Sequence, residues 1–332
     1  MQRVGVIGGG AWGTGLAMLA RRAGRAVVLW AREREVVDAI NRDHRNEAFL
    51  PGIALDPNLR ATADAGEAVD ADAVIVAAPA QHLRATLAGL AGRWPAGVPA
   101  VICAKGIERG TCALMSEVVA ETLPAAPIAI LSGPSFAAEV AQDLPTAVAL
   151  ASDAPNLRSD LPGALATPHF RIYSTDDVIG AQVGGAVKNV LAIACGIVRG
   201  RGMGDNARAA LITRGLAETV RLAAAKGARA ETLMGLSGIG DLVLTCTAMR
   251  SRNFSLGVAL GEGASLADIV AGRASIAEGV DSAAAVCALA DRHEIDMPIC
   301  NAVHAVLNRG ADLGETIANL LARPAKAEQS GW

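Results

Sequence analysis

The sequence contains very little lysine and no excess of positive charge. Lysine supplies only four of its 30 lysine and arginine residues, at positions 105, 188, 226 and 326, and the formal net charge is −3. Proteins that bind nucleic acid through surface charge carry a basic patch or stripe, so the composition argues against a nucleic-acid partner. Any anion site must be a local concentration of arginine and lysine.

Cysteine is also scarce, and its six positions show no Cys-x-x-Cys spacing. Most lie in apolar segments, which is typical of reduced, buried thiols in a cytosolic protein. Cys300 and His304 are four residues apart on a predicted helix, but no further ligand accompanies them, so we expect no metal. Residues 1–10 lack the basic leader and apolar core of a secretory signal. Together these features predict a cytoplasmic protein.

The longest apolar run, Gly180–Val198, contains one full charge, Lys188. A helix that is hydrophobic on all sides lies inside a protein, where burial lowers the pKa of a lysine toward the range useful for proton transfer. Arginine cannot exchange a proton in this way, so Lys188 is a candidate catalytic group. Gly184 and Gly185, one turn earlier, leave room beside the amine for a ligand or another backbone.

Two other interpretations of this run need no catalysis. One is a core helix whose lysine extends to water. The other is a membrane span, for which the run is nearly long enough. Its Gln, Lys and Asn residues disfavour the span, so we expect no membrane insertion.

A dinucleotide-binding pattern follows the first predicted strand. Arg3–Ile7 is rich in β-forming residues and leads directly into Gly8-Gly9-Gly10-Ala11-Trp12-Gly13, the pattern G-x-G-x-x-G. Gly8 permits a tight turn, Gly10 lets the backbone approach a diphosphate, and Gly13 lets the next helix pack on the strand. The N-terminus of that helix would face the phosphates. The alternative is a glycine-rich turn without a ligand.

The end of the second predicted strand, Ala26–Trp30, bears on the choice of cofactor. Arg32 follows it, at the place where an arginine accommodates the 2′-phosphate of NADP(H). Glu33 keeps NAD(H) as a second possibility. Arg34 is better explained as the solvated start of a helix.

Further strand-like runs alternate with helical stretches through the first half of the chain, at 73–77, 100–104, 128–131, 147–150 and 170–173. Such alternation predicts an α/β fold with a Rossmann-like, doubly wound, mainly parallel sheet. Ligands in such sheets bind beyond the C-terminal strand ends, where Lys105 and the turn Ser132–Phe136 follow their strands. The pattern then becomes all-helical, so we predict domains at 1–178 and 179–325, and a loose tail at 326–332.

Two polar segments interrupt the helical half. Asp241 follows the glycine-rich turn that begins at Gly238, and is a candidate partner for Lys188. Ser251-Arg252-Asn253 offers a hydroxyl, a guanidinium and an amide in succession, which suits a phosphate dianion. Serine and asparagine also favour helix caps, and the local sequence leaves both interpretations open.

A series of longer motifs appears in order from residue 8 to about residue 280. They read GGGAWGT, AKGIE, LSGPSFAAEV, GGAVKNVLAIACGI, GDNARAALITRGL, GLSGIGDLVLTCT, SRNFSLG and AEGV. This series resembles bacterial NAD(P)-dependent glycerol-3-phosphate dehydrogenase. The resemblance implies that dihydroxyacetone phosphate is reduced to sn-glycerol 3-phosphate, the backbone precursor of glycerophospholipids. It also allows a homodimer.

The resemblance further implies roles for single residues. Lys188 matches the catalytic proton donor and acceptor, with Asp241 as its orienting partner. The substrate-binding positions are Lys105, Gly133, Ser135, Lys188, Asp241, Ser251, Arg252 and Asn253. The cofactor-binding positions are Gly8, Gly10, Ala11, Trp12, Gly13, Arg32, Lys105, Ala137, Arg252 and Glu278. The sequence departs from the usual pattern at Ala11 (commonly serine), Gly15 (alanine), Gln182 (glutamate) and Asp281 (aromatic).

Two other functions are compatible with parts of the sequence. A related β-hydroxyacid or opine dehydrogenase would also combine a dinucleotide domain with a helical domain and a lysine, but the Ser251–Asn253 segment favours a phosphorylated substrate. A non-catalytic NADPH-sensing protein would have little use for Lys188 and a second ligand cluster.

Overall fold

The computed structural model describes residues 1–271 and 277–324 of the chain. These residues form two compact units. The first unit contains Met1–Lys105 and Met115–Val178, and the second contains Gly106–Leu114 and the described residues from Ile179 onward. The predicted tail, 326–332, lies outside the described residues.

The first unit is built around a mainly parallel sheet. Its strands are β1 (Arg3–Ile7), β2 (Ala26–Trp30), β3 (Arg45–Asn46), β4 (Leu50–Ala54), β5 (Arg60–Thr62), β6 (Ala73–Val76), β7 (Ala100–Ile102), β8 (Ile128–Ser132), β9 (Thr146–Ala151) and β10 (Phe170–Thr175). Eight of them form one sheet in the order β10-β9-β8-β7-β6-β1-β2-β5, while β3 and β4 form a separate hairpin. Among the strand pairs that the described residues form in this sheet, only β8–β9 is antiparallel. The prediction of a doubly wound, mainly parallel sheet is therefore confirmed.

Helices connect these strands. They are α1 (Ala11–Arg22), α2 (Arg34–Asp43), α3 (Ala65–Val69), α4 (Leu83–Ala88), α5 (Met115–Thr122), α6 (Ala137–Ala141) and α7 (Pro155–Leu165). In the strand order, β2 lies next to β1 on one side and β6 lies next to β1 on the other side. Such a switch point creates a crevice at the C-terminal ends of the strands, where ligands of this fold bind.

The second unit is helical, as predicted. Its helices are α8 (Val178–Gly200), α9 (Gly204–Ala225), α10 (Ala230–Leu233), α11 (Asp241–Thr247), α12 (Arg252–Gly261), α13 (Leu266–Ala271), α14 (Glu278–Arg292), α15 (Pro298–Arg309) and α16 (Leu313–Leu321). Helix α8 is long and apolar enough to cross a membrane, but 89% of its apolar window is buried inside the protein. A buried position of this kind is typical of a core helix.

Helices α8 and α12 cross in direct backbone contact. A Cβ atom on Gly257 would lie 2.1 Å from the carbonyl oxygen of Ile193, and one on Gly196 would lie 2.1 Å from that of Phe254. A side chain at either glycine would push the helices apart. The glycines therefore fix the first turn of α12 relative to α8.

Residues 106–114 lie in the second unit, although the division at residue 178 assigns them to the first domain. Their contacts to α14 explain this placement. Arg109 forms an ion pair with Asp281 at 2.9 Å, and Arg292 donates a hydrogen bond to the carbonyl oxygen of Gly110 at 2.9 Å. Asp281, an unusual residue for this motif series, thus serves as an anchor for the segment.

Candidate functional site

Lys188 takes part in a buried ion pair of the second unit. Only 8% of the residue is exposed, and Asp241 is 1% exposed. Lys188 Nζ donates to Asp241 Oδ1 at 2.5 Å and to Thr245 Oγ1 at 3.0 Å. The lysine therefore places its charge inside the unit rather than extending it to the surface. Asp241, the partner that the sequence suggested, forms this pair.

A π-helical turn brings Asp241 to α8. The turn comprises Leu236–Gly240 and leads directly into α11. Gly184 of α8 faces it, and a Cβ atom on Gly184 would lie 2.4 Å from the carbonyl oxygen of Ser237. The backbone of the turn thus occupies the room that this glycine leaves. Single π-helical turns occur frequently at functional sites.

Thr245 completes the cluster and was not predicted from the sequence. It lies four residues after Asp241, on the same face of α11. Its hydroxyl donates to the Asp241 carbonyl oxygen at 2.6 Å and accepts from Lys188 Nζ. The i, i+4 spacing of Asp241 and Thr245 was the signal available in the sequence.

Ser251 and Arg252 form the N-terminus of α12. Ser251 Oγ accepts the N–H of Phe254 at 3.2 Å, so Ser251 caps the helix. Arg252 is the first helical residue and is exposed. A capped helix N-terminus still presents N–H groups and a positive dipole end to an anion, so the cap and the phosphate site are compatible.

Asn253 connects three helices. It is buried, its Nδ2 donates to Asn189 Oδ1 at 3.0 Å, and its Oδ1 accepts the N–H of Gly279 at 2.9 Å. Asn189 follows Lys188 on α8, and Gly279 follows Glu278, the first residue of α14. An amide nitrogen has two N–H donors, so Asn253 keeps at most one for a ligand.

The glycine-rich loop of the first unit, Gly8–Gly13, has the geometry of a phosphate site. Gly8 has a φ of +122°, and a Cβ atom on Gly13 would lie 1.9 Å from the Gly8 carbonyl oxygen. The Cβ position of Gly10 has no atom within 4 Å. Among the described residues, none accepts the Gly10 N–H. The open space and the N–H group suit the diphosphate of a dinucleotide.

Lys105 lies beside the turn that follows β8. Its Nζ donates to the Gly133 carbonyl oxygen at 3.2 Å, and Ser135 Oγ donates to the same oxygen at 3.0 Å. Gly133 has no room for a side chain, because a Cβ atom would lie 2.8 Å from Val148 Cα. Ala137 begins α6 shortly afterwards. The structure thus brings together the predicted substrate residues of the first unit.

Arg32 and Glu33 form an ion pair after β2. Arg32 Nη2 lies 2.7 Å from Glu33 Oε1, and the arginine side chain is 78% exposed. The cation that suits a 2′-phosphate and the carboxylate that suits a 2′-hydroxyl are therefore adjacent.

The cysteines do not have the properties of catalytic thiols. All six cysteines are buried and free. Burial raises the pKa of Cys103 and Cys287 to about 12, and it raises the pKa of Cys246 well above the ordinary value. Such thiols stay protonated and are poor nucleophiles. Within residues 1–271 and 277–324, no three His, Cys, Asp or Glu side chains meet as a metal site requires.

A large cavity of the second unit is separate from the predicted residues. It has a volume of about 810 Å³ and lies between α8, α9, α15 and α16. Its lining is mainly apolar and contains none of the predicted site residues. Buried ionisable groups with a charged partner, such as Lys188 and Asp241, are typical of active sites. We therefore take their cluster, and not the cavity, as the candidate active site.

Two family models match the chain. One, for the N-terminus of NAD-dependent glycerol-3-phosphate dehydrogenase, matches residues 3–158. The other, for the C-terminus of the same enzyme, matches residues 177–318. Together they cover most of the chain.

Individual proteins agree with these models. A glycerol-3-phosphate dehydrogenase (NAD(P)+) from Rhodospirillum rubrum is 58% identical over 99% of this chain and 94% of its own length. One from Paramagnetospirillum magneticum is 68% identical over 77% of this chain and 93% of its own length. The crystal structure of glycerol-3-phosphate dehydrogenase from Coxiella burnetii is 39% identical, has a TM-score of 0.93, and the match covers 97% of this chain and 99% of that one. The chain therefore belongs to the family of NAD-dependent glycerol-3-phosphate dehydrogenases.

Proposed function

We propose that this protein catalyses the reversible reduction of dihydroxyacetone phosphate to sn-glycerol 3-phosphate with NADPH or NADH. The observation that carries the proposal is the buried pair of Lys188 and Asp241, with Nζ and Oδ1 2.5 Å apart, in a chain of this family. Reduction of a ketone places negative charge on its oxygen, which then needs a cation and a proton. A buried ammonium group supplies both.

Lys188 acts as the general acid. Its ammonium group stabilises the charge that develops on the oxygen of C2 and donates a proton to it, leaving a neutral amine. In the reverse direction the neutral amine accepts the proton of the substrate hydroxyl. Asp241 and Thr245 hold Nζ in position, so little reorganisation accompanies the proton transfer.

Arg252 binds the phosphate of the substrate. A guanidinium forms strong, geometrically defined hydrogen bonds with phosphate oxygens, and the N-terminus of α12 adds its N–H groups. Ser251 caps this helix, and Asn253 connects its first turn to α8 and α14. Binding of the remote phosphate positions C2 for reaction. On the first unit, Lys105, Gly133 and Ser135 are the proposed substrate contacts.

The glycine-rich loop holds the diphosphate of the cofactor through the backbone of Gly8–Gly13. Arg32 receives the 2′-phosphate, so NADP(H) is preferred, while Glu33 permits NAD(H). Lys105, Ala137, Arg252 and Glu278 are the remaining proposed contacts. When bound, the nicotinamide supplies the hydride that C2 accepts.

The proposal also covers the cellular context. The product is the backbone precursor of glycerophospholipids, and we place the enzyme in the cytoplasm. It requires neither a nucleic-acid partner nor insertion into a membrane.

The test is a spectrophotometric assay of NADPH and NADH oxidation with dihydroxyacetone phosphate and, separately, with a β-keto acid. We expect turnover of dihydroxyacetone phosphate. Turnover of the β-keto acid alone would replace the proposal by a β-hydroxyacid dehydrogenase. Binding of NADPH without turnover of any phosphorylated ketone would favour a non-catalytic sensor.

Arg252→Ala tests the phosphate site within the same assay. A hydrogen bond to a charged group contributes about 1.5–3 kcal/mol, and about 1.4 kcal/mol corresponds to a factor of ten. We therefore expect the KM for dihydroxyacetone phosphate to rise at least about tenfold at saturating cofactor. Arg201→Ala, an exposed arginine after α8, is the matched control and should leave this KM unchanged. An unchanged KM for Arg252→Ala would remove Arg252 from the phosphate site.

A further inference from the structure

A small hairpin beside the sheet brings a buried amide to the glycine-rich loop. Strands β3 and β4 pair in antiparallel fashion, and Leu50 and Ile53 of β4 are buried in the core of the first unit. This anchoring fixes the position of β3. Asn46, the last residue of β3, is 1% exposed.

The amide nitrogen of Asn46 holds two acceptors. Its Nδ2 donates to the carbonyl oxygen of Gly9 at 2.8 Å and to Thr14 Oγ1 at 2.8 Å. Thr14 lies in the first turn of α1 and is fully buried, and its hydroxyl also donates to the Gly9 oxygen at 3.3 Å. Both N–H groups of the amide are therefore in use.

The other end of the same amide has no hydrogen bond. Asn46 Oδ1 is buried and has no partner among the described residues. A buried acceptor without a partner is costly, and native proteins keep few of them. The cost of this unpaired oxygen indicates that the position requires the NH₂ group of asparagine. A residue without two donors on one atom could not bind both acceptors.

The direction of the Gly9 carbonyl determines the direction of the next N–H. In a planar trans peptide, the C=O group and the following N–H group point in opposite directions. Asn46 and Thr14 hold the Gly9 oxygen on the inner side of the loop, so the Gly10 N–H is directed to the other side. The space at Gly10 is open, and no described residue accepts that N–H.

We propose that Asn46 is a positioning residue for the diphosphate of the dinucleotide. It holds the Gly9–Gly10 peptide in the orientation that directs the Gly10 N–H toward the diphosphate. This inference rests on the proposed function, because it presumes a dinucleotide at the loop. Asn46 lies 37 residues from Gly9 in the sequence, outside the glycine-rich pattern Gly8–Gly13.

The test compares two ligands in Asn46→Ala by isothermal titration calorimetry. The Kd for NADPH is expected to rise at least about tenfold, since a peptide that must reorient loses its hydrogen bond to a charged phosphate. The Kd for adenosine 2′-phosphate, which has no diphosphate, is expected to stay unchanged. A general loss of structure would weaken the binding of both ligands equally.

Asn41→Ala is the matched control. The Asn41 amide also clamps backbone in the first unit, since it donates to the Ala61 carbonyl oxygen at 3.0 Å and accepts the Ala61 N–H at 2.8 Å. Neither of these hydrogen bonds in the described structure involves the glycine-rich loop. Asn41→Ala should lower stability and leave the ratio of the two affinities unchanged.

Three outcomes separate the possibilities. An unchanged NADPH affinity in Asn46→Ala, or an equal loss for both ligands, overturns the inference and leaves the proposed function intact. A wild-type protein that binds neither NADPH nor NADH overturns the proposed function. If Asn46→Ala does not fold, Thr14→Val removes the bridging hydroxyl and must show the same selective loss of NADPH affinity for the inference to stand.

Discussion

Replacement of Lys188 by methionine tests two contributions of the ion pair, one to the free energy of unfolding and one to kcat. Methionine is similar in length and carries no charge, so the variant leaves Asp241 buried without its cation. Loss of one member of a buried ion pair costs about 3–5 kcal/mol. We expect the free energy of unfolding of Lys188→Met to fall by about that amount. Loss of the general acid should lower kcat by a factor of about 10²–10⁴.

The double variant Lys188→Met/Asp241→Leu shows whether this cost comes from the unpaired charge. The side chains of Lys188 and Asp241 are 10% and 1% exposed, so solvent screens the pair very little. Replacement of both members by apolar residues of similar size is often neutral or stabilising. We therefore expect the double variant to regain most of the lost stability while its kcat stays as low as that of Lys188→Met.

Urea unfolding followed by far-ultraviolet circular dichroism is the suitable assay, because most of the described helical residues lie in the second unit. The described tryptophans, Trp12, Trp30 and Trp94, all lie in the first unit, so their fluorescence follows the other part of the chain. A Lys188→Met variant as stable as the wild type would refute the reasoning about the buried pair. A double variant that loses the sum of both single losses would refute it as well. Near-normal kcat in either variant would refute the proton-transfer role.

Two further predictions concern the cofactor and the pH dependence of stability. Arg32→Ala should raise the KM for NADPH about tenfold, since it removes a charged hydrogen bond to the 2′-phosphate. Steady-state kinetics should show little change for NADH, and an equal change for both cofactors would contradict the assignment. Glu218 of α9 accepts the N–H groups of Ile299 and Cys300 at the start of α15, and burial raises its pKa from 4.5 to about 7. Its contribution to stability is therefore present at low pH and is lost as the pH rises through about 7. Relative to Glu218→Gln, which does not titrate, the unfolding free energy of the wild type should fall by about 2–3 kcal/mol between about pH 5 and pH 8. A difference that is constant with pH would contradict this expectation.

The sequence predicted most of the first unit because its signals are local. Each strand of the sheet that is covered on both faces reads as a short apolar run, as Ala73–Val76 and Ala100–Ile102 do. The hairpin of β3 and β4 was not predicted. Strand β3 has only two residues, and β4 contains proline and glycine. Their pairing depends on packing against the sheet rather than on a pattern of their own.

The second unit was harder to predict in detail. Residues 238–247 were expected to lie between helices, whereas Asp241–Thr247 forms α11 after a π-helical turn. Two glycines in Leu236–Gly240 lower the helix propensity of this segment, so its sequence alone did not predict a helical turn. Packing of the turn against Gly184 supports the helical conformation that the structure shows. Residues 106–114 were assigned to the first domain because no local signal marks their contacts to Asp281 and Arg292.

The sequence by itself determined the chemical groups of this protein: a glycine-rich turn after a strand, and a lysine in an apolar helix. Both follow from composition and spacing over a few residues, which local backbone geometry translates directly into structure. Only the tertiary structure decided which groups those residues meet. Asp241 reaches Lys188 across 53 residues of chain, and Asn46 reaches Gly9 across 37. Contacts of this kind depend on how separate elements pack, and no periodicity in the sequence encodes them.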